Sequence, residues 1–283
     1  QDVPSILSFT GIMLVTKHSL LASLTFLACI SLAAFGVRGE SGDHELIRAV
    51  ASTACEADRD GGSSGRVPSK SGRLRVFLLA GQSNMEGHGF IPADPNRNGG
   101  QGSLEFLVRE RPDSEFARLR SAAGEWIERD DVWIHYLDRK GQLRAGFGVR
   151  EDRIGPELGF GMVVGDRLEE PVLLIKLAWG GKSLAADFRP PSAGGDGPGP
   201  YYQELITRTK AVLASVGDEF PELAGTTPEL AGIGWHQGWN DRVNQAFNAE
   251  YEVNLAHLIR DLRRDLNAPQ LPFVIAETGM GGV

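Results

Sequence analysis

The sequence contains only two cysteines, Cys29 and Cys55. Cys29 lies in an apolar stretch near the start of the chain, and removal of that stretch would leave Cys55 alone. A single cysteine excludes an internal disulfide and a cysteine-based metal site. The zinc signature His-Glu-x-x-His is missing as well. We therefore expect neither a metal nor a cofactor.

Positively charged residues are also fewer than negatively charged ones. The 29 lysines and arginines are outnumbered by 37 aspartates and glutamates, which gives a net charge of −8 at pH 7. Nucleic acids and anionic membrane surfaces repel a protein with this charge. We therefore expect no nucleic-acid partner, whereas neutral sugars and polymers stay open as ligands.

Long apolar runs are scarce, and residues 20–35 form the one that bears on targeting. Its length of about sixteen residues is less than the roughly 20 that span a bilayer. Lys17 precedes it and small residues follow it, as in a secretory signal peptide. We predict a signal peptide region at 1–39 with Met13 as the true start, a secreted or periplasmic protein, and no stable membrane association after cleavage. Lipid attachment at Cys29 stays an open alternative.

The chain divides into a polar part and a globular part after this region. Residues 40–72 are polar and rich in glycine and serine, which is typical of a flexible linker. Residues 73–283, about 210 in number, suffice for one α/β domain with its own core. Apolar runs predict strands, and amphipathic segments between them predict helices. The strands are expected at 74–80, 132–137, 172–178, 231–235 and 273–276, and the helices at 157–168, 201–216 and 245–266. This alternation predicts a three-layer α/β/α sandwich around a parallel sheet of about five strands.

Three of the predicted strands end in unusual polar segments. Residues 81–85 read Gly-Gln-Ser-Asn-Met, residues 178–183 read Ala-Trp-Gly-Gly-Lys-Ser, and residues 235–241 read Trp-His-Gln-Gly-Trp-Asn-Asp. The carboxyl ends of parallel strands share one edge of the sheet, so these segments should converge on one crevice. Ser83 would supply a nucleophile at this crevice.

Donors for a tetrahedral oxyanion are available in the same three segments. Ser83 and Gly181 can present backbone N–H groups, and Gln237 or Asn240 can present a side-chain amide. The indole rings of Trp179 and Trp239, which lie at the presumed strand ends, could stack on a sugar. The segments therefore predict an acyl-transfer site, and the choice between Gln237 and Asn240 stays open.

Taken in order, these motifs resemble the SGNH-hydrolase superfamily, and within it the sialate O-acetylesterase and acetylxylan esterase branch, carbohydrate esterase family six. The resemblance runs from about residue 73 to the end and implies a flavodoxin-like fold. It also implies a serine esterase that removes O-acetyl groups from carbohydrates through an acyl-enzyme on Ser83. Gly181 matches the second-block oxyanion glycine, and Gln237 ranks above Asn240 as the third-block donor. The segment 155–160 resembles a further family segment that positions the loop around the site.

The family's catalytic Asp-x-x-His pair does not follow the last predicted strand. We expect this pair beyond Val283, and we expect the domain as given to be truncated and nearly inert. His88 is the alternative base, because it follows Ser83 by five residues. A structural role is expected for His236, and a packing or surface role for the histidines at 135 and 257.

Other functions fit less of the sequence. A phosphate-binding loop at Gly181-Lys182-Ser183 would need a glycine where Lys176 stands. A non-catalytic carbohydrate-binding module on the same fold would use the same tryptophans, and the absence of a downstream Asp-x-x-His would favour it. A lipase or thioesterase of the superfamily would need an apolar groove, whereas the loops expected around the site are polar and glycine-rich.

Overall fold

The computed structural model describes residues 72–112 and 114–277, so the predicted signal peptide and nearly all of the predicted linker lie outside the described residues. The described residues form eight strands: β1 (Arg73–Gly81), β2 (Gly89–Phe90), β3 (Val132–Tyr136), β4 (Arg139–Gln142), β5 (Arg153–Ile154), β6 (Val172–Ala178), β7 (Thr227–His236) and β8 (Phe273–Ile275). A central sheet has the strand order β4-β3-β6-β1-β7-β8. Five of its strands run parallel, and β4 pairs antiparallel with β3.

All five predicted strands are present, and four of them differ in their bounds. The largest difference is at β7, which begins at Thr227 rather than at the predicted 231. β4 was not predicted, because its sequence Arg-Lys-Gly-Gln lacks any apolar alternation. It forms a hairpin with β3 through a tight turn at Leu137, whose φ of 52° is positive.

The strand order bears on the expected flavodoxin-like fold. If the hairpin of β3 and β4 at the edge of the sheet is set aside, the parallel strands β1, β6, β7 and β8, numbered one to four along the chain, have the order 2-1-3-4, and flavodoxin-like sheets have the order 2-1-3-4-5. The hairpin extends the sheet beside β6, with which β3 pairs. β1, which leads directly to Ser83, lies between β6 and β7.

Helices pack against both faces of the sheet. Leu78 of β1 joins a buried cluster with Leu205 and Leu262, whereas the next side chain, Leu79, joins a second cluster with Phe160. This alternation is what a strand that is buried on both faces requires. The helices are α1 (Ser83–Glu86), α2 (Leu104–Glu110), α3 (Pro156–Arg167), α4 (Pro200–Ala214), α5 (Val216–Glu219), α6 (Trp239–Arg242) and α7 (Gln245–Asp265). Leu205 and Leu262 belong to α4 and α7, and Phe160 belongs to α3.

The remaining strands, β2 and β5, form a small antiparallel sheet. Gly89 pairs with Ile154, and Phe90 pairs with Arg153. This pairing connects the chain after α1 to the chain before α3. No helix within 72–112 or 114–277 combines the length and hydropathy that a membrane crossing needs.

Candidate active site

The carboxyl ends of β6, β1 and β7 lie side by side and in register. Gly81 at the end of β1 is paired with Ala178 of β6 on one side and with His236 of β7 on the other. Neighbouring strands are about 4.8 Å apart. The three polar segments that follow these strands therefore start within one crevice, as the sequence predicted.

Gly81 allows the chain to turn at this edge. Its φ is +154°, and a Cβ atom at this position would lie 2.2 Å from the carbonyl oxygen of His236. Any other residue would have to displace the backbone of β7. The close approach also lets the Gln82 N–H donate to the same carbonyl, at 3.2 Å.

Ser83 is the first residue of α1 and is half-buried. Its backbone N–H is one of the donors that the start of a helix leaves without an intrahelical partner. Its Oγ lies 3.5 Å from Nε2 of Gln82. The hydroxyl is therefore reachable from the crevice and has an N–H donor next to it.

Gln82 connects the first polar segment to the third. Its buried Oε1 accepts hydrogen bonds from Nε2 of Gln237 (3.2 Å) and from the N–H groups of Gly238 (3.3 Å) and Asn240 (3.4 Å). Its Nε2 donates to Oδ1 of Asn240 at 3.3 Å. The sequence analysis did not assign a role to Gln82, and its place inside the Gly-Gln-Ser-Asn motif was the only available signal.

Asn240 connects the third segment to the second. Its Nδ2 donates to the carbonyl oxygen of Gly181 at 2.6 Å. An amide nitrogen carries two hydrogens, so one N–H of Asn240 remains beyond this bond. Gly181 adopts a positive φ of +73°. Two of the predicted oxyanion residues, Asn240 and Gly181, are therefore in direct contact.

Gln237 lies deeper and uses its amide nitrogen within the protein. Nε2 donates to Oε1 of Gln82, to the carbonyl oxygen of Lys182 at 3.0 Å and to Oδ2 of Asp241 at 2.5 Å. The side chain is buried, and its Oε1 has no hydrogen-bond partner among the described residues. Because the two amide hydrogens of Gln237 are shared among three protein acceptors, the side chain has little capacity to donate a hydrogen bond to a substrate.

Asp241 fixes the loop that contains Gly181. Its fully buried carboxylate accepts hydrogen bonds from the backbone N–H groups of Leu184 (2.9 and 3.0 Å) and Ala185 (2.9 Å). With the bond from Gln237, these contacts tie the loop after β6 to the end of β7. The sequence analysis did not predict this role for Asp241.

The two tryptophans predicted to bind sugar differ in exposure. Trp179 is half-buried against Phe188 and Tyr201, with ring centroids 6.0 and 5.0 Å away. Trp239 is 43% exposed, and the guanidinium carbon of Arg242 lies 5.7 Å from its ring centroid. Trp239 therefore presents more ring surface to a ligand than Trp179 does.

His236 is buried at the end of β7, and its Nδ1 has no hydrogen-bond partner among the described residues. Burial lowers the pKa of His236 to about 4. The ring is consequently neutral at neutral pH and enclosed by protein, which agrees with the expected structural role.

The other described histidines differ in their surroundings. His88 is exposed, with Nε2 3.4 Å from Oε2 of Glu86. His257 on α7 shares a 2.6 Å hydrogen bond with Ser192 through Nδ1. His135 is half-buried in β3, and this burial lowers its pKa. Within 72–112 and 114–277, none of these rings forms a hydrogen bond with Ser83.

An open cavity of about 530 Å³ adjoins the site at the ends of β7 and β8. Gln237, Tyr251 and Ala276 are among the residues that line it. Within the described ranges, no group of three or more His, Cys, Asp or Glu side chains could hold a metal ion.

Comparison with known proteins matches the chain to a family. A sequence model described as "Carbohydrate esterase, sialic acid-specific acetylesterase" matches residues 73–282. The Arabidopsis thaliana protein named "Probable carbohydrate esterase At4g34215" is 28% identical over 211 residues, which cover 74% of this chain and 70% of the relative.

Solved structures give similar matches at lower identity. The crystal structure of that Arabidopsis thaliana protein matches with 22% identity and a TM-score of 0.49, over 74% of this chain and 76% of the other. A carbohydrate acetylesterase from Xanthomonas citri matches with 17% identity and a TM-score of 0.43, over 71% of this chain and 40% of the other. The structure of NanS matches with 17% identity and a TM-score of 0.46, over 73% and 68% of the two chains.

Proposed function

Because the chain belongs to the sialic acid-specific acetylesterase family of carbohydrate esterases, we propose that it removes O-acetyl groups from carbohydrates with Ser83 as the nucleophile. The observation that carries this proposal is the meeting of three strand-end segments. Gln82 lies beside Ser83 and bonds to Asn240, and Asn240 bonds to Gly181. An ester carbonyl bound there would face a hydroxyl group and several N–H donors.

In the proposed mechanism, Ser83 Oγ attacks the acetyl carbonyl carbon and its proton passes to a base. The tetrahedral intermediate then collapses, the bond to the sugar oxygen breaks, and the base returns its proton to that oxygen. The acetyl group stays on Ser83. A water molecule next gives a proton to the base and attacks the acetyl carbon. When this second intermediate collapses, the bond to Ser83 Oγ breaks, the base returns its proton to that oxygen, and acetic acid leaves and ionises to acetate.

We assign the oxyanion donors to the Ser83 and Gly181 N–H groups and to the side-chain amide of Asn240. Asn240 ranks above Gln237 in this proposal, which reverses the order implied by the family resemblance. The reason is that Gln237 is buried and donates to three protein acceptors. Asn240 is only half-buried and keeps one N–H beyond its bond to Gly181.

We retain the hypothesis that the base is a histidine in an Asp-x-x-His pair beyond Val283. The support comes from the described histidines themselves. His236 is enclosed by protein, and burial lowers its pKa to about 4, which makes the ring a weak base. His257 is bonded to Ser192. His88 is the alternative, since it is exposed and lies close to the end of α1.

We place the sugar against Trp239, whose ring is exposed beside Asn240, and against Trp179 to a lesser extent. The cavity next to Gln237 offers room for further parts of the substrate. An acetyl ester of a neutral sugar agrees with the net charge of −8.

The finer classification is part of the same proposal. The three motifs favour the SGNH type and its sialate O-acetylesterase and acetylxylan esterase branch, family six. The two buried clusters on opposite faces of the sheet support a three-layer sandwich. The stretch at 20–35 favours secretion or a periplasmic location. A non-catalytic carbohydrate-binding module and a lipase are less favoured, because the matched family consists of carbohydrate esterases.

The experiment is a measurement of acetate release from a panel of acetylated sugars, including acetylated xylan and acetylated sialic acid. The protein is assayed with any coding sequence that follows Val283 in its gene, and the 283-residue chain is assayed alongside. We expect Ser83→Ala to abolish release while the melting temperature stays unchanged, because the hydroxyl is lost without a change in the core.

Two outcomes would count against the proposal. Full activity of the Ser83→Ala variant would remove Ser83 from the mechanism. Activity of the 283-residue chain that disappears in His88→Gln would move the base from the region beyond Val283 to His88. The same panel with butyrate and palmitate esters tests the lipase alternative, which predicts faster hydrolysis of the longer chains.

A further inference from the structure

A lysine and a glutamate are fully buried beneath the turn that carries Ser83. Lys176 lies in the middle of β6, and Glu157 lies in the first turn of α3. Their side chains are 0% exposed, and Nζ of Lys176 lies 2.6 Å from Oε2 of Glu157. An ion pair in this setting is unusual, because removal of both charges from water costs several kcal/mol per ion.

The contacts of Lys176 show what the ammonium group holds. Besides Glu157, Nζ donates to the carbonyl oxygen of Glu86 at 2.7 Å and to that of Phe147 at 2.8 Å. An ammonium group has three hydrogens, so these three acceptors use all of them. Lys176 therefore has no N–H left for a substrate and cannot take part in the chemistry directly.

The bond to Glu86 reaches the nucleophile turn itself. Glu86 is the last residue of α1, the one-turn helix that begins with Ser83. The last carbonyl groups of a helix have no intrahelical partner, and a cation at that end satisfies them and interacts favourably with the helix dipole. Lys176 consequently caps the short helix that presents the nucleophile.

The two other contacts attach the same turn to its surroundings. Phe147 belongs to a loop in which the N–H of Val149 donates to the carbonyl oxygen of Gly87, directly after α1, at 2.9 Å. Glu157 accepts a hydrogen bond from the N–H of Gly155 at 2.8 Å through its other oxygen. One ammonium group thus joins α1, the loop at Phe147 and the start of α3.

From these contacts we propose that Lys176 and Glu157 form a positioning pair, which fixes the orientation of Ser83 relative to the oxyanion donors. This inference rests on the proposed function, in which Ser83 is the nucleophile. The pair acts through backbone atoms and does not touch the substrate. Apolar residues of similar volume often replace a buried ion pair without loss of stability, so stability alone does not require this one.

The test compares Lys176→Met, Glu157→Gln and the double variant with the unchanged protein. Hydrogen–deuterium exchange of the peptide that spans residues 83–87 reports the order of the turn and needs no activity. Acetate release gives kcat and KM. Lys140→Met is the matched control, because Lys140 of β4 forms a partly exposed ion pair with Glu219 of α5.

We expect Lys176→Met to speed exchange in this peptide, to lower kcat by at least about tenfold and to leave KM within about twofold, since a small misplacement of a nucleophile slows the chemical step. The double variant should regain thermal stability, because no unpaired buried charge remains, but its exchange and kcat should stay impaired. Lys140→Met should match the unchanged protein in all readouts.

Recovery of kcat and slow exchange in the double variant would overturn the proposal, because the pair would then serve stability alone. If Lys176→Met does not fold, the double variant decides the question. If the unchanged protein releases no acetate from any ester, the proposed function fails. The exchange measurement then still shows whether the pair orders the turn.

Discussion

Gln82 lies between Ser83 and Asn240, the two side chains that the proposed mechanism brings nearest to the ester. Its amide oxygen accepts three hydrogen bonds, and its amide nitrogen points toward both of these residues. A buried amide that is bonded in this way has a single favourable orientation. We conclude that Gln82 holds the first and third segments at a fixed separation.

The first prediction separates Asn240 from Gln237. Asn240→Ala should lower kcat by about 10²- to 10³-fold, because it removes an oxyanion donor, and should change the melting temperature little. Gln237→Ala should instead lower the free energy of unfolding by about 1 to 3 kcal/mol, because it leaves buried acceptors without their donor. Steady-state kinetics and urea unfolding of both variants check these expectations. A stable Gln237→Ala variant with kcat reduced as in Asn240→Ala would restore Gln237 as the oxyanion donor.

The second prediction concerns the pH dependence of stability and follows from His236. Its pKa is about 4 in the folded protein, against an ordinary value of 6.5. Between these values the unfolded chain binds more protons than the folded protein, so stability must fall as the pH falls. We expect His236 to contribute a loss of about 2 to 3 kcal/mol between about pH 7.5 and pH 4.5.

Urea unfolding of the unchanged protein and of His236→Asn at both pH values measures this contribution. The variant should have a weaker pH dependence, whatever its absolute stability. An equal pH dependence in the two proteins would show that His236 has the same pKa in the folded and unfolded states.

At the scale of the elements, the positions of the strands along the chain were more predictable than the pairing of the strands in the sheet. The run at 172–178 is almost wholly apolar, and β6 has the predicted bounds. The apolar runs did not predict the order of the strands, because they indicate that a segment is buried but not which strand it pairs with. The burial of Lys176 in β6 was likewise not foreseen, since its partner Glu157 lies in a different element.

The site was predictable only in part, for the same reason. Ser83, Gly181 and Asn240 were selected from their motifs, and the structure brings their segments together. Gln82 and Asp241 lie inside the same motifs, but their roles depend on hydrogen bonds across the strand ends. Such contacts follow from the register of three strands, which no local pattern determines.

The third prediction tests the connection between the loop after β6 and the end of β7. Asp241→Ala should destabilise the protein by about 2 to 4 kcal/mol, because the buried N–H groups of Leu184 and Ala185 lose their acceptor. The control is Asp138→Ala, which removes a carboxylate whose side chain is 94% exposed. Thermal and urea unfolding of both variants check the difference. Equal stability of the two variants would mean that Asp241 does not fix the loop.

At the scale of the whole molecule, the order of the strands in the sheet brings the parts of the candidate site together. β1 lies at the centre of the sheet with β6 and β7 on either side. Segments that are far apart in the sequence therefore leave the sheet next to one another. Under the proposed function, the loops around the site and the exposed face of Trp239 would select the acetylated sugar.

The central claim is that an acetyl group is transferred to Ser83 during turnover. The most direct measurement is an acid quench of the enzyme during hydrolysis of an acetyl ester, followed by mass spectrometry of its peptides. The account predicts an acetyl group on the peptide that contains Ser83, and none in Ser83→Ala. Steady acetate release with no acetylated Ser83 peptide, or with the acetyl group on another residue, would contradict it.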